Sequence, residues 1–333
     1  MPTRCMRTCR SASGHSFRAG LPRRTRHTGM TRGSWIAWRG RWPLSRRRPA
    51  HDDPSPRRAA GGALMTAEIR LGCQGWNYTA WVGPFYPSRT RPSEFLHVYA
   101  RAFNTVEVDS TFYATPAVPT VRGWASRVPD GFTFALKLPQ EITHEKRLRH
   151  SESELQRFFD VARELGPKLG PVLVQLGPDF APSELPALAE FLPLLPRDLR
   201  VAVEFRQRGW INDGIVALLA EHHVALALAD ARFIPRSVML TLADCPTSDF
   251  MYLRWMGPDR QTVDYSRVQH DRTRELEAWL TVMPAIVGRM KTVYGYVNNH
   301  FSGHAPANVR ELQRALKQKV VEPSQLGEQL LLF

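Results

Sequence analysis

The sequence predicts an α/β protein built on a single (β/α)8 barrel, and three observations lead to that prediction. From residue 66 onward, short apolar runs alternate with amphipathic helical patterns, and eight such runs fall within 268 residues. The runs are almost continuously apolar, which is typical of parallel strands covered on both faces. Eight strand–helix units in this length match the size and order of a (β/α)8 barrel. Because no glycine-rich dinucleotide fingerprint follows the first run, an open doubly wound sheet ranks below the barrel.

Each predicted element follows from its own pattern. Apolar runs rich in Val, Leu and Ala predict strands at 69–72, 105–108, 133–137, 172–175, 201–204, 225–229, 251–254 and 293–297. Apolar residues at helical spacing predict helices around 95–102, 155–162, 185–192, 215–221, 276–283 and 309–316. A capping box at 151–154 precedes the second of these helices. The segment after residue 233 is the least regular, and its helix is expected to be short.

Composition divides the chain into three parts. Residues 1–65 contain fifteen Arg, no Lys and two acidic residues, so they carry +13 of the formal +14 charge. This segment lacks apolar periodicity, and a disordered basic leader is expected. Its interpretation stays open among a mis-assigned start before Met65, a targeting peptide and a basic arm for nucleic acid. The barrel is assigned to 66–318 and a C-terminal tail to 319–333.

The composition of the barrel segment narrows the class of protein. With the leader set aside, residues 66–333 carry only +1, which argues against strong non-specific nucleic-acid binding by the barrel. Two cysteines, Cys73 and Cys245, are too few for a disulfide framework or a zinc knuckle, and a reducing cytoplasm is expected. No uncharged apolar run reaches the ~18 residues that a membrane span requires. Neither a metal nor an organic cofactor is predicted.

Polar side chains stand at the C-terminal ends of the predicted strands, where barrels carry their active sites. Glu107 and Asp109 are two residues apart, so one strand directs both to the same face, and Glu204 and Arg206 repeat this spacing. The candidate catalytic residues are Glu107, Asp109, Lys137 and Glu204. The candidate substrate-binding residues are Trp76, Tyr113, His144, Arg206, Asp230, Arg254, Asn298 and Asn299.

Two arrangements satisfy these charges. Burying an unpaired charge costs several kcal/mol, so the charged groups either pair with one another or face water and a ligand. Complete pairing would give a structural belt of salt bridges at the barrel mouth. Asp109 and Arg206 are the residues most readily assigned to such pairing, whereas a pocket is favoured for the set as a whole.

The strand ends also carry a family resemblance. The motifs are Gly72-Cys73-Gln74-Gly75-Trp76, the segment 103–113, Phe134-Ala135-Leu136-Lys137, Ile142-Thr143-His144, Glu204-Phe205-Arg206, Asp230 and Asn298-Asn299. Taken together and in this order, they resemble the YecE-like family, also called domain of unknown function seventy-two, over about residues 68–318. The resemblance implies a TIM barrel and implies no particular reaction. A likeness of the family to endonuclease IV-like barrels suggests nucleic-acid processing by analogy of fold alone.

The chain departs from this family pattern at two places. Gln74 stands where the family often has Ser, and Trp255-Met256 follow the seventh-strand Arg where the family often has His. Any acid–base role of that family histidine therefore does not carry over to this chain.

The last five residues carry a second resemblance. Gln329-Leu330-Leu331-Leu332-Phe333 is similar to the bacterial sliding-clamp-binding peptide, with Leu331 departing from the usual Ser or Asp. Gln329, Leu330, Leu332 and Phe333 would contact the clamp, since extended apolar peptides dock in grooves of partner proteins. A tail folded back onto the barrel is the alternative, and residues 322–325 are interpreted as a linker.

Three functions remain open. The favoured one is an enzyme that acts by acid–base chemistry on a small polar or anionic substrate, with Glu107 and Glu204 as acid and base and with Lys137, Arg206 and Arg254 holding its anionic part. The second is a metal-dependent phosphodiesterase acting on nucleic acid, with Asp109, Glu204, Asp230 and a histidine as ligands. The third is a non-catalytic binding protein recruited through its tail to the sliding clamp.

Overall fold

The computed structural model describes residues 67–259 and 261–328. Eight parallel strands form one sheet in the order β1-β8-β7-β6-β5-β4-β3-β2. The strands are β1 Glu68–Cys73, β2 Thr105–Val108, β3 Thr133–Lys137, β4 Leu169–Gln175, β5 Val201–Glu204, β6 Ala225–Ala231, β7 Phe250–Gly257 and β8 Thr292–Val297. Every predicted strand lies within one of these, so the predicted (β/α)8 barrel is confirmed.

The sheet closes on itself where β1 approaches β2. A single parallel bridge joins Gln74 to Glu107, and the Gly75 amide donates to the Glu107 carbonyl at 2.8 Å. Gly72 makes this approach possible, because a Cβ at that position would lie 2.0 Å from the Thr105 carbonyl oxygen. A side chain at position 72 would therefore push the two edges of the barrel apart.

Helices cover the outside of the barrel. They are α1 Phe95–Ala102, α2 Val118–Ser126, α3 Glu152–Arg163, α4 Leu185–Phe191, α5 Asp213–Glu221, α6 Arg236–Leu242, α7 Thr273–Val287, α8 Asn299–Ser302, α9 Ala305–Ala315 and α10 Pro323–Glu328. The sequence did not predict α2. Its β-branched residues and Gly123 are weak helix formers, and only Val121 and Trp124 are buried, so packing against the barrel decides its conformation. As expected, the helix after residue 233 is short.

Two apolar clusters form the core. The larger lies between the strands and the helices, and the smaller fills the barrel interior. The interior pairs small residues on one wall, such as Ala135, Ala202 and Ala227, with Tyr252 and Tyr296 on the other. The centroids of these two tyrosine rings are 5.2 Å apart. Because the large rings fill the space beside the small alanines, the lower barrel is packed rather than hollow.

The predicted tail is partly ordered on the barrel. Residues 322–325 were interpreted as a linker, but helix α10 begins at Pro323 and buries Leu326 completely in the main core cluster. Both the predicted leader, 1–65, and the clamp-like peptide, 329–333, lie outside the described residues. Within the described ranges, no helix combines the length and the apolar character that crossing a membrane requires.

Candidate functional site

Alternate residues of each strand point into the barrel, and near the C-terminal ends these inward positions become polar. On β7 the inward series runs Phe250, Tyr252 and Arg254, so two aromatic layers lie beneath one arginine. The same change from apolar to polar gives the upper barrel its other inward side chains, which are Gln74, Glu107, Lys137, Gln175, Glu204 and Asn298. The site therefore results from the period-two geometry of the strands.

A buried ion triad forms the lowest polar layer. Arg254 is fully buried and binds Glu107 through two contacts, Nε to Oε2 at 2.9 Å and Nη2 to Oε1 at 2.6 Å. Its remaining nitrogen, Nη1, donates to Glu204, and the Tyr252 hydroxyl donates to Glu107 at 2.8 Å. Every nitrogen of the Arg254 guanidinium is thus bonded to a carboxylate.

Two members of the triad, Glu204 and Arg254, stabilise each other in their charged forms. Burial would raise the pKa of Glu204, but Arg254 and Arg206 outweigh this effect and hold it at about 2. Burial would likewise lower the pKa of Arg254, yet the neighbouring Glu107 and Glu204 keep it well above its usual value. A carboxylate and a guanidinium held this firmly in their charged forms are poorly suited to exchanging protons with a substrate.

A cavity of about 390 Å³ opens above the triad. It is lined by residues from several strand ends and loops, which are Gln74, Tyr78, Asp109, Phe112, Tyr113, Lys137, His144, Gln175, Arg206, Tyr265, Asn298, Asn299 and His300. Glu107, Glu204 and Arg254 are not among these lining residues. The structure therefore places the predicted acid, base and one predicted anion-binding residue beneath the cavity rather than at its wall.

The floor of this central cavity is a second, partly open polar chain. Lys137 Nζ lies 3.2 Å from Asp109 Oδ1 and 3.9 Å from the centre of the Phe112 ring. Gln74 also donates to Asp109, at 3.1 Å, and Asn298 donates to Gln74. Burial lowers the pKa of Lys137 despite the nearby Asp109. Because an ammonium has three N–H donors and one is directed to Asp109, Lys137 retains capacity to bind a ligand.

Arg206 links the two polar layers. Its Nε donates to Glu204 at 3.0 Å and its Nη2 donates to Gln175 at 2.6 Å. Glu204 and Arg206 therefore lie on the same face, as their spacing predicted. Arg206 also forms an ion pair, which the sequence analysis gave as an alternative to binding a ligand. Three carboxylates, Glu107, Glu204 and Asp109, and three cations, Arg254, Arg206 and Lys137, give the two layers together a balanced charge.

His144 enters the cavity from the loop after β3. It lies in a single π-helical turn, Glu141–Glu145, a type of irregularity that is frequent at functional sites. The Thr143 hydroxyl donates to the Pro139 carbonyl at 3.1 Å and lies 2.9 Å from His144 Nδ1. Since that hydroxyl has a single proton, Nδ1 is the donor of this bond, and Nε2 carries the lone pair. Burial, Arg206 and Lys137 lower the pKa of His144, so its imidazole is neutral at pH 7.

The loop that carries His144 is held in a strained conformation. Arg147, Leu148 and His150 all have positive φ, between 48° and 68°, which costs of order 1–3 kcal/mol for each non-glycine residue. Arg147 anchors the loop by binding Asp179 and Glu184, and Leu148 is buried beneath it. A strained loop fixed on both sides positions His144 rigidly at the cavity wall.

The aromatic candidates separate into two neighbouring cavities. Tyr113 is 68% exposed and lines the outer wall of the central cavity. Trp76 lines an adjacent cavity of about 470 Å³ that shares Tyr78 and Asp109 with the central one. Its ring packs edge-on against Trp124, with centroids 5.8 Å apart. Trp76 is therefore placed beside the central cavity, whereas Tyr113 belongs to it.

Asp230 is a predicted site residue that does not line the central cavity. It follows the inward-facing Ala227 by three residues, so its side chain points toward the helices. There it accepts a hydrogen bond from Trp279 at 2.8 Å and pairs with Arg236. Asp230 does lie near the C-terminal end of β6, as predicted. Its side chain, however, points outward and contacts α6 and α7 instead of the cavity.

The geometry also bears on the metal-dependent alternative. Glu204 is bonded to two arginines and Asp230 faces the helices, so the proposed ligands do not converge. Across residues 67–259 and 261–328, no group of three or more His, Cys, Asp or Glu side chains is placed to hold a metal ion.

One cavity residue, Tyr265, had no sequence signal. Tyr265 lies in the long loop between β7 and α7, and its hydroxyl is 3.2 Å from His300 Nε2. Its carbonyl is 2.8 Å from His304 Nδ1, which ties this loop to the start of α9. No periodicity marks a residue in such a loop. The loop's length was the available clue, since long irregular loops in compact domains are often functional.

His304 makes the stability of this region dependent on pH. Burial and, to a smaller extent, the nearby Arg310 lower its pKa from 6.5 to about 4, although the Tyr265 carbonyl and Asp264 act in the opposite direction. The unfolded chain then takes up the proton first, so stability present above pH 6.5 is lost as pH falls through 4, by at most about 3 kcal/mol. Urea unfolding at pH 7 and pH 4 is expected to show a smaller loss for His304→Asn than for the wild type. Equal losses would contradict this assignment.

Comparisons with known proteins agree with this architecture. The profile of the family described as "Protein of unknown function DUF72" matches residues 70–329. The protein is 36% identical over 146 residues to the UPF0759 protein YecE of Escherichia coli K12, an alignment covering 44% of this chain and only 51% of YecE, about half its length. It is 24% identical over 269 residues to the UPF0759 protein YunF of Bacillus subtilis, covering 74% of this chain and 94% of YunF.

Two crystal structures share the fold. A DUF72 family protein from Thermotoga maritima superposes with a TM-score of 0.63 at 24% identity, covering 75% of this chain and 100% of that one. A DUF72 family protein from Enterococcus faecalis gives a TM-score of 0.60 at 21% identity, with coverage of 77% and 100%. Because the family profile spans more than three quarters of the chain and the barrel is shared, the protein belongs to the DUF72 family.

Proposed function

We propose that this protein is an enzyme that transfers a proton to or from a small polar or anionic substrate in the central cavity. His144 is the general base, and Lys137 and Arg206 hold the acid group of the substrate. The observation that carries the proposal is the position of His144 at the wall of a cavity that Lys137 and Arg206 also line, near enough for both cations to lower its pKa and keep it neutral at pH 7. A base that is unprotonated at pH 7 and lies close to bound positive charge is suited to removing a proton from an anionic substrate.

The other polar residues have supporting roles in this proposal. Asp109 orients the Lys137 ammonium, and the Gln74 and Asn298 amides complete the cavity floor. The ion triad of Glu107, Glu204 and Arg254 links strands β2, β5 and β7 near their C-terminal ends, and Glu204 keeps Arg206 in place. Tyr113 and Phe112 form an aromatic wall of the kind that packs against a sugar or another ring.

Turnover by Lys137→Met tests the assignment of the anion-binding group. A panel of small carboxylated and phosphorylated sugars would be incubated in deuterium oxide and followed by mass spectrometry, with hydrolysis and deuterium incorporation as readouts. Loss of one charge-assisted contact is expected to reduce kcat/KM about tenfold to a hundredfold. Lys291→Met is the matched control, because Lys291 pairs with Asp249 at the N-terminal end of the barrel. The proposal fails if the wild type converts no member of the panel, or if the two variants are equally active.

A further inference from the structure

We infer that the substrate carries a second acid group, bound in a side cavity beside the central one. This inference rests on the proposed function, because it deepens the assignment of the substrate. The side cavity measures about 250 Å³ and shares Arg206, Asn298 and His300 with the central cavity. One ligand can therefore extend from the first cavity into the second.

Two arginines meet at one ring in this side cavity. The guanidinium carbons of Arg206 and Arg232 lie 4.9 and 5.0 Å from the centre of the Phe233 ring. Stacking on an aromatic ring occupies the face of a guanidinium, so the N–H edge of the exposed Arg232 can bind a planar or tetrahedral acid group. Phe233 thus orients both cations at the same part of the cavity wall.

The two arginines differ in how their charge is balanced. Glu204 neutralises Arg206 at 3.0 Å. In contrast, Arg232 is exposed and forms no ion pair with any residue in the described ranges. Asp259 also lines the cavity, but it is exposed, and its Oδ1 accepts the backbone N–H of Gln261 at 3.1 Å instead. Arg232 is consequently the cation of this cavity whose charge is left for a ligand.

The remaining wall suits a small group rather than a bulky one. Gly257, at the end of β7, has a φ of +83°, and a Cβ there would lie 2.3 Å from the His300 carbonyl oxygen. This glycine lets β7 pass close to α8 and bounds the cavity with backbone. Met256, Pro178 and Pro258 supply apolar lining around the cationic end. Such a compact, partly apolar cavity with one uncompensated arginine fits a phosphate or carboxylate group attached to the substrate.

Inorganic phosphate tests this site directly. Met256 lines the side cavity, so its methyl resonance in protein labelled with ¹³C-methyl methionine reports binding there, and Met256→Leu assigns the signal. The wild type is expected to show a saturable shift. Arg232→Gln is expected to weaken phosphate binding at least about tenfold, as the loss of one charge-assisted contact implies, and Arg232→Lys less. Arg274→Gln, which removes an exposed arginine from α7, is expected to leave the titration unchanged.

The control variants separate this inference from the proposed function. If phosphate binds in the central cavity alone, Lys137→Met weakens its binding and Arg232→Gln leaves it unchanged. That result would overturn the second site and leave the proposed reaction in place. The absence of a saturable Met256 shift, or equal weakening by Arg232→Gln and Arg274→Gln at constant ionic strength, would also overturn it. Loss of phosphate binding in Arg232→Gln alone supports it.

Discussion

Replacing Arg254 with Met is expected to lower the free energy of unfolding by about 3–5 kcal/mol, the cost of leaving a buried charge without its partner. Glu204 would keep Arg206 at 3.0 Å, but Glu107 would lose its ion-pair partner and both contacts from the guanidinium. The Glu107 carboxylate would then retain the hydrogen bond from the Tyr252 hydroxyl but no ion pair with an arginine. Urea unfolding at pH 7 measures the effect.

A double variant identifies the source of this loss. Glu107→Gln combined with Arg254→Met removes both charges, and Tyr252 can still donate to the glutamine carbonyl. The double variant is therefore expected to be more stable than Arg254→Met alone, since removing both members of a buried pair costs less than removing one. Arg163→Met is the surface control, because its pair with Asp198 is largely exposed and exposed ion pairs contribute little to stability. A loss in Arg254→Met no larger than in this control would contradict the role of the triad.

The second large effect is expected on catalysis. His144→Gln should reduce kcat by about 10²–10⁴-fold, the usual contribution of a positioned general base. Glutamine preserves much of the contact with the Phe112 ring, whose centroid is 5.1 Å from that of the imidazole, so the loss would reflect proton transfer rather than packing. His97→Gln is the matched control, because His97 faces solvent on α1. Steady-state kinetics on the substrate found in the panel measures both variants.

The pH dependence gives an independent test of the same role. Burial, Arg206 and Lys137 lower the pKa of His144, so the acid limb of the kcat/KM profile is expected below 6.5. Lys137→Met removes one of these cations, which raises the pKa of His144 and moves the acid limb to higher pH. Activity of His144→Gln equal to that of His97→Gln, or an acid limb that does not move in Lys137→Met, would exclude His144 as the base.

Much of the fold could be predicted because strand pattern and barrel geometry are local or general properties. All eight strands contain the predicted apolar runs, and three of them, β2, β3 and β5, begin and end where the pattern predicted. One of the elements that the sequence did not predict is instructive. Helix α2 has few good helix formers, and its conformation depends on burying Val121 and Trp124 against the barrel. No local signal reports such a contact.

The sequence by itself determined the barrel and the set of polar side chains at its C-terminal end. Strand alternation is a local property, so the common face of Glu204 and Arg206 could be read from their spacing. The tertiary structure decided which of these charges face a ligand. Arg254 pairs with both Glu107 and Glu204, and all three side chains are buried beneath the cavity. Lys137, Arg206 and His144 line the cavity itself. Charge pairing depends on the position of each side chain along the barrel axis. That position is fixed only when all eight strands are in register.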